Sequence, residues 1–204
     1  MFSKKISDAV LEAIEGSPSG VAPLDVLESL RLSGRQTLKT TLSRLNRAGR
    51  ILRLKRGVYS ANPMRDGLAC AQHLFNGYLG FSTALYVHGM ITETPFTITV
   101  VTAGKSETRR IGEYEFRAVS LGKKAVGFEK KGGYVVSTRA KTLFDCLYLP
   151  RYSVEREKLA EAFRQARLSG KEWAEFDGYV KRFASGRVAE TMRAAKREIR
   201  NGGD

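Results

Sequence analysis

The sequence predicts an α+β protein, in which a small domain of helices and one β-hairpin precedes a mixed α/β domain with a helical C-terminal part. Three observations support this prediction. Apolar residues recur at helical spacing near the N-terminus, residues 96–101 form an unbroken β-favouring run, and residues 153–200 return to helical spacing. The 204 residues, of which 42% are hydrophobic, are enough for one ordinary domain or two small ones.

Three helices are predicted first. Residues 7–16 and 24–32 form the first two, and Ser33 is expected to cap a third that runs to Ala48 and ends at Gly49. The apolar positions that we expect to face the core are Ile6, Val10, Leu11 and Ile14 in the first helix, Leu24, Val26, Leu27 and Leu30 in the second, and Leu38, Leu42 and Leu45 in the third.

A β-hairpin is predicted next, because residues 50–61 change to strand-like composition around the turn Lys55-Arg56-Gly57. Three helices followed by a hairpin is the element order of a winged helix-turn-helix, a DNA-binding fold. We therefore predict a winged-helix domain over residues 1–62, with Pro63 and Gly67 marking the boundary.

The remaining residues, 68–204, are predicted to form the mixed α/β domain. Its expected helices are 68–75, 82–90 and 138–148, and its expected strands are 96–101, 114–121 and 126–137, the last with a Lys131-Gly132-Gly133 turn. Ala140, Leu143, Phe144 and Leu147 should share one side of their helix. Residues 153–200 should be helical in two or three pieces, broken near Gly170 and Gly186.

Charge is unevenly distributed. The formal net charge is +14, which favours an anionic partner. Residues 1–30 hold two basic and five acidic side chains, whereas residues 31–60 hold nine basic and no acidic ones. A block of one sign within folded sequence is typical of a nucleic-acid-binding surface, and double-stranded DNA is the expected partner.

The outward face of the third helix and the hairpin supply the expected DNA contacts. Gln, Thr and Ser side chains can bond base edges, and Lys and Arg can meet phosphates or guanine. The expected contacts are Arg35, Gln36, Lys39, Thr40, Ser43, Arg44, Arg47, Arg53, Lys55 and Arg56. Candidate additional contacts are Lys105, Arg109 and Arg110, and the tail adds the basic residues Arg193, Lys196, Arg197 and Arg200.

No catalytic residue, metal site or cofactor is predicted. Gly104-Lys105-Ser106 follows a predicted strand, but Thr99 stands where a phosphate-binding loop needs glycine. His73 and His88 have no acidic or cysteine neighbours at ligand spacing and are expected to pack on helix faces. Cys70 and Cys146 lack metal-ligand spacing and are expected to be buried and reduced.

Two alternative functions remain open at this point. Glu113, Glu115 and Glu129 loosely resemble the carboxylates of a metal-dependent nuclease, although a solvent-facing strand would show the same residues. The second alternative is a transcriptional regulator whose second domain senses a small ligand. Metal-dependent DNA cleavage would distinguish the first alternative.

A cytoplasmic location, without a membrane partner, is expected. The chain contains no run of about 18 apolar residues, which a membrane-spanning helix requires. Residues 1–9 have no apolar core of the kind that a signal peptide needs.

Four segments, in order, resemble the AbiEi-type antitoxins. They are the hairpin sequence at 49–59, the segment FSTALYVHGM at 81–90, the strand TITVVT at 97–102 and the helix opening TRAKTLFD at 138–145. Together they fall within residues 5–150. The sequence departs from the family at Thr83, where a second small residue is common, and in its long basic helical tail.

The resemblance implies an antitoxin of a type IV toxin–antitoxin system. In such systems the winged helix represses the operon's own promoter at inverted repeats. The following domain counteracts an AbiEii-like nucleotidyltransferase toxin, often without a stable complex. Carried onto this chain, DNA binding would belong to residues 36–47 and 53–56, toxin counteraction would belong to residues 68–204, and no catalytic residue carries over.

Overall fold

The structure is a computed structural model that describes residues 5–201. It is an α+β protein, with N-terminal helices on a small three-stranded sheet, a mixed six-stranded sheet and a helical C-terminal part. The chain divides into two compact units, the first comprising the N-terminal residues to Phe75 with Arg109–Phe116, and the second comprising Asn76–Thr108 with Arg117 onwards. Residues 1–4 of the predicted first domain and 202–204 of the second lie outside the described residues.

The first unit contains the three predicted helices and the predicted hairpin. Its elements are α1 (Ile6–Glu15), β1 (Val21–Pro23), α2 (Leu24–Ser29), α3 (Arg35–Arg47), β2 (Ile51–Lys55), β3 (Val58–Ala61) and α4 (Gly67–Leu74). Strands β2 and β3 form the hairpin, and β1 pairs antiparallel with β3, giving the order β1-β3-β2. The sequence did not predict β1, because three residues show no periodicity.

The core of the first unit lies between α1, α3 and the small sheet. Leu38, Leu42 and Leu45 are buried, as predicted, and they pack in one cluster with apolar residues of α1 and with Ile51 and Tyr59 of the hairpin. Because these three leucines fall on one stripe of α3, the opposite side of the helix is left to solvent.

Two details predicted for the first unit are wrong. Ser33 does not cap α3, because the helix begins one residue later than predicted and Gly34 occupies the N-cap position. Ile6, Val26 and Leu30 are 39%, 46% and 50% exposed, although helical spacing predicted them to face the core. Helix α2 is only six residues long, and Leu27 is its buried residue.

The larger sheet has six strands. The strands are β4 (Tyr78–Leu79), β5 (Thr97–Thr102), β6 (Glu107–Ile111), β7 (Tyr114–Ser120), β8 (Phe128–Lys131) and β9 (Tyr134–Ser137), in the order β6-β7-β5-β4-β9-β8. Strand β4 pairs antiparallel with β5 and parallel with β9, and β8 pairs antiparallel with β9. The predicted glycine turn at Gly132-Gly133 joins β8 to β9, and both glycines have positive φ.

Five helices complete the second unit: α5 (Phe81–Val87), α6 (Arg139–Tyr148), α7 (Arg156–Ala166), α8 (Gly170–Phe183) and α9 (Gly186–Asn201). The prediction of two or three helical pieces after residue 153 is confirmed: among the described residues there are three, and Gly170 and Gly186 are the first residues of α8 and α9. Helix α6 is buried from Ala140 to Cys146, so it forms the centre of the core rather than covering it with one side. The strand predicted to begin at Phe96 begins at Thr97, and Phe96 is 75% exposed.

Candidate nucleic-acid interface

Helix α3 presents a polar, basic face to solvent. Six of the predicted contacts lie on it, all exposed: Gln36, Lys39, Thr40, Ser43, Arg44 and Arg47. On a wheel of 100° per residue, four of them lie opposite the leucine stripe and Lys39 and Arg44 lie on the flanks of this face. From Gln36 to Arg47 this face is about 16 Å long, at about 1.5 Å per residue.

The end of α3 is fixed by its glycine. Gly49 has a φ of +67°, the left-handed conformation that ends many helices. Its N–H donates to the Asn46 carbonyl at 3.1 Å, and the N–H of Arg50 donates to the Leu45 carbonyl at 2.9 Å. These are the two bonds of a Schellman motif, so the predicted helix end at Gly49 is confirmed.

Asn46 connects α3 to the hairpin. Its side-chain oxygen accepts a hydrogen bond from the Arg53 backbone N–H at 2.9 Å. The pairing of β2 with β3 shifts register between Arg53 and Lys55, a β-bulge that alters the strand next to this bond. A second amide, Asn62, donates to the Gly49 carbonyl at 2.7 Å. The position of the hairpin against α3 is therefore fixed by hydrogen bonds as well as by apolar packing.

The hairpin carries three of the predicted contacts, Arg53, Lys55 and Arg56, and all three are exposed. Lys55 is partly committed elsewhere, since its ammonium group donates to the Leu74 carbonyl, at the last turn of α4, at 3.4 Å. A cation is favourable at a helix C-terminus, so Lys55 stabilises the fold of the first unit.

Arg35 is also committed. Its guanidinium group forms an ion pair with Glu28 at 2.8 Å, although the Arg35 side chain remains 71% exposed. By contrast, five cations of α3 and the hairpin form no ion pair with any residue among 5–201: Lys39, Arg44, Arg47, Arg53 and Arg56. We call the six α3 residues together with Arg53 and Arg56 the α3–hairpin surface.

The three additional candidate DNA contacts, Lys105, Arg109 and Arg110, do not all belong to the same unit. Lys105 is exposed in the loop between β5 and β6, in the second unit. Arg109 and Arg110 lie on β6, in the segment that belongs to the first unit, where Arg109 is half-buried. Arg110 pairs with the buried Glu115 at 3.2 Å.

The phosphate-loop interpretation has no structural support. Thr99 lies in the buried strand β5, and the loop containing Gly104 leads into strand β6, whereas a phosphate-binding loop leads into a helix.

The carboxylates considered for a nuclease do not form one group. Glu113 is exposed beside Gly112, Glu115 is held by Arg110, and Glu129 lies on β8 in the second unit. Among residues 5–201, no three His, Cys, Asp or Glu side chains are placed to hold a metal ion together. None of the helices formed by these residues combines the length and apolar character that crossing a membrane requires.

The predictions for the two cysteines are confirmed, whereas the prediction that His73 packs on a helix face is wrong. Cys70 and Cys146 are free and buried, as predicted. His73 is exposed on α4, so its predicted packing role is wrong. His88 is half-buried at the end of α5, but it is held by hydrogen bonds, one of them at 2.7 Å between its Nε2 and the Ser137 carbonyl.

Sequence reasoning also missed a buried ion pair in α6. Lys141 and Asp145, one turn apart, are both fully buried and contact each other directly. The Lys141 ammonium lies 5.9 Å from the Tyr78 ring, 5.4 Å from the Phe144 ring and 5.9 Å from the Tyr179 ring. Burial lowers the pKa of Lys141 and raises the pKa of Asp145 to about 6. The i, i+4 spacing of Lys and Asp was the available sequence signal.

Comparison with protein-family models finds none that matches this chain. Comparison with curated proteins finds no match either. The resemblance to AbiEi-type antitoxins therefore remains an expectation drawn from the four sequence segments.

Proposed function

We propose that this protein is a transcriptional repressor that binds double-stranded DNA through a winged helix in its first unit. The observation that carries the proposal is the α3–hairpin surface. It combines five cations that no carboxylate among residues 5–201 neutralises with three polar side chains between them. A surface helix of ordinary function mixes charges of both signs.

The side chains of the α3–hairpin surface fall into those suited to base edges and those suited to phosphates. Gln36, Thr40 and Ser43 lie near the middle of the exposed face, where short hydrogen-bonding groups can reach base edges. Lys39 and Arg44 flank them, in positions suited to the two phosphate backbones that border a groove. Arg53 and Arg56 of the hairpin would contact the adjacent backbone or groove.

Salt dependence tests DNA binding. In Arg44→Ala with Arg47→Ala, we expect weaker binding to the promoter of the protein's own operon. The slope of log K against log salt should fall in magnitude by about 1.8, since each lost phosphate contact contributes about 0.9. The matched control is Lys123→Ala with Lys130→Ala, which removes the same charge from exposed residues of the second unit. An unchanged slope in the Arg44/Arg47 variant would show that these residues do not touch phosphate.

We further propose that the protein is the antitoxin of a type IV toxin–antitoxin system and counteracts a nucleotidyltransferase-like toxin through its second unit. This part of the proposal is supported by the resemblance of residues 81–90, 97–102 and 138–145. It requires no catalytic residue in this chain, and repression would act on inverted repeats in the operon's own promoter.

Co-expression with the adjacent reading frame tests the antitoxin proposal. The full-length Arg44→Ala/Arg47→Ala variant should still rescue growth, while a reporter driven by the operon promoter loses repression. Failure of the unmodified protein to rescue growth from a demonstrably toxic neighbour would remove the antitoxin proposal and leave the DNA-binding proposal standing.

A further inference from the structure

A cavity of about 370 Å³ in the second unit is lined by basic and titratable side chains. They come from three separate places in the chain: His88 after α5, Lys131 at the end of β8 and Arg139 at the start of α6. The volume lies within the range of small-molecule sites, about 300–1,000 Å³. Two of the segments that resemble antitoxins, 81–90 and 138–145, thus meet at one cavity.

His88 is held in one orientation and one tautomer. Its Nε2 lies 2.7 Å from the Ser137 carbonyl, which only accepts hydrogen bonds, so Nε2 carries the proton. Its Nδ1 lies 3.2 Å from the Lys131 ammonium and accepts a hydrogen bond from it. The lone pair of Nδ1 is therefore occupied by a cation rather than by a neutral donor.

Arg139 is also held in place. Its guanidinium group donates to the Glu172 carboxylate at 2.8 and 3.0 Å and to the Ala166 carbonyl at 3.0 Å. These bonds use three of the five N–H donors of an arginine, so two remain for another acceptor. A side chain fixed in this way loses little conformational entropy when it binds a ligand.

Lys131 has no carboxylate partner among residues 5–201, and its only cavity neighbour in hydrogen-bond contact is the imidazole. The lysines at positions 158 and 196, by contrast, pair with Glu93 and Asp177. The imidazole of His88 that Lys131 contacts is neutral, so it does not offset the positive charge of the Lys131 ammonium.

We infer that this cavity binds a small phosphoryl dianion, such as inorganic phosphate or a phosphate monoester, between Lys131, Arg139 and His88. The Lys131 ammonium and the two unused N–H donors of Arg139 offer charge-assisted hydrogen bonds to several oxygens of one dianion, although Glu172 already offsets the charge of Arg139. When Lys131 turns from the imidazole to the ligand, Nδ1 of His88 is free to take up a proton and donate as well. This inference concerns the second unit alone and does not depend on DNA binding or antitoxin activity.

The electrostatics of His88 agree with this assignment. Burial is the main cause that lowers the pKa of His88, and the charges of Lys131 and Arg139 lower it further. The Ser137 carbonyl and Glu129, on the strand that carries Lys131, act in the opposite direction. A bound dianion would favour the imidazolium form, so binding and protonation of His88 should strengthen each other.

NMR of the two histidines tests the inference on the full-length protein. The imidazole Cε1–H signals of His88 and His73 are followed during titration with inorganic phosphate and, separately, with glycerol 3-phosphate, with chloride used to hold ionic strength constant. We expect the His88 signal to move saturably and its pKa to rise. His73, exposed in the first unit, serves as the internal reference and should not respond. Saturable binding of either probe supports the site, and the comparison tells free phosphate from a monoester.

Phosphate itself changes protonation state in the pH range in which histidine titrates, whereas sulfate remains a dianion throughout that range. Any pH dependence of sulfate binding therefore comes from groups of the protein. The affinity for sulfate should increase as the pH falls through the pKa of His88.

Lys131→Gln should weaken phosphate binding about tenfold, the loss expected for one charge-assisted hydrogen bond. Lys130→Gln is the matched control, since it is the adjacent exposed residue on β8 and successive side chains of a strand face opposite ways. Equal responses of both histidines, a response that does not saturate, or unchanged affinity in Lys131→Gln would each overturn the inference.

Discussion

Gly178 and Gly77 show how the effect of one methyl group depends on its surroundings. Gly178 lies in the middle of α8, and a Cβ atom built there meets no heavy atom within 4 Å. A Cβ atom at Gly77, just before β4, would lie 2.0 Å from the Val101 carbonyl oxygen. Backbone of a neighbouring strand cannot move aside, so only the first position has room for a side chain.

We expect Gly178→Ala to raise the free energy of unfolding by about 0.5–1 kcal/mol, because glycine inside a helix loses more conformational entropy than alanine. Gly77→Ala should lower it by about 3 kcal/mol or more, through overpacking. Urea unfolding followed by fluorescence of Trp173, the single tryptophan and itself in α8, measures both. Similar effects of the two substitutions would contradict the packing described at β4.

The stability of the second unit should depend on the buried Lys141–Asp145 pair. Asp145→Leu should destabilise the second unit by about 3–5 kcal/mol, because it leaves a buried ammonium without its partner. Adding Lys141→Met should recover most of that loss, since an apolar pair of similar volume carries no desolvation penalty. If the double variant is as unstable as Asp145→Leu alone, the charges are not coupled.

The same pair should make stability depend on pH. Burial raises the pKa of Asp145 from 3.8 to about 6, so the native state binds this proton more tightly than the unfolded state does. The free energy of unfolding should therefore fall as the pH rises from 3.8 through about 6. The double variant lacks this contribution and provides the control.

At the scale of elements, Asn46 is the side chain whose hydrogen bond holds the hairpin to α3. Asn46→Ala removes the acceptor of the Arg53 N–H at a cost of about 1 kcal/mol, since the bond is exposed. We expect promoter affinity to fall roughly three- to tenfold, because binding must then also fix the hairpin. Band-shift titration measures this, with Asn76→Ala, which changes an exposed asparagine of the second unit, as the matched control. Wild-type affinity for Asn46→Ala would mean that α3 acts without the hairpin.

Elements were predictable where their pattern was strong. The leucine stripe of α3, the Gly57 turn and the glycines that begin α8 and α9 each carry local chemistry that specifies the backbone. Strand β6 was missed because it is a largely exposed strand, Glu107 to Ile111, without apolar alternation. The exposure of Val26 was missed because a helix shorter than two turns has little room for an inward stripe.

Across the whole chain, the distribution of charge along the sequence was enough to predict the candidate DNA surface. Ion pairs and hydrogen bonds between distant elements could not be predicted from the sequence. The ten expected contacts are all exposed. The pairing of Arg35 with Glu28 and of Lys55 with the end of α4 depends on how elements pack. The cavity around His88 was not predictable either, since Lys131 is 43 residues away along the chain.

The two cysteines allow the stability of each unit to be measured separately. Cys70 lies in the first unit and Cys146 in the second, and burial raises their pKa values to about 11 and about 12. Neither thiol should react with an alkylating reagent while its surroundings stay closed. The rate at which each is alkylated, resolved by mass spectrometry, should therefore report the opening equilibrium of its own unit, and bound DNA should protect Cys70 from alkylation more than it protects Cys146.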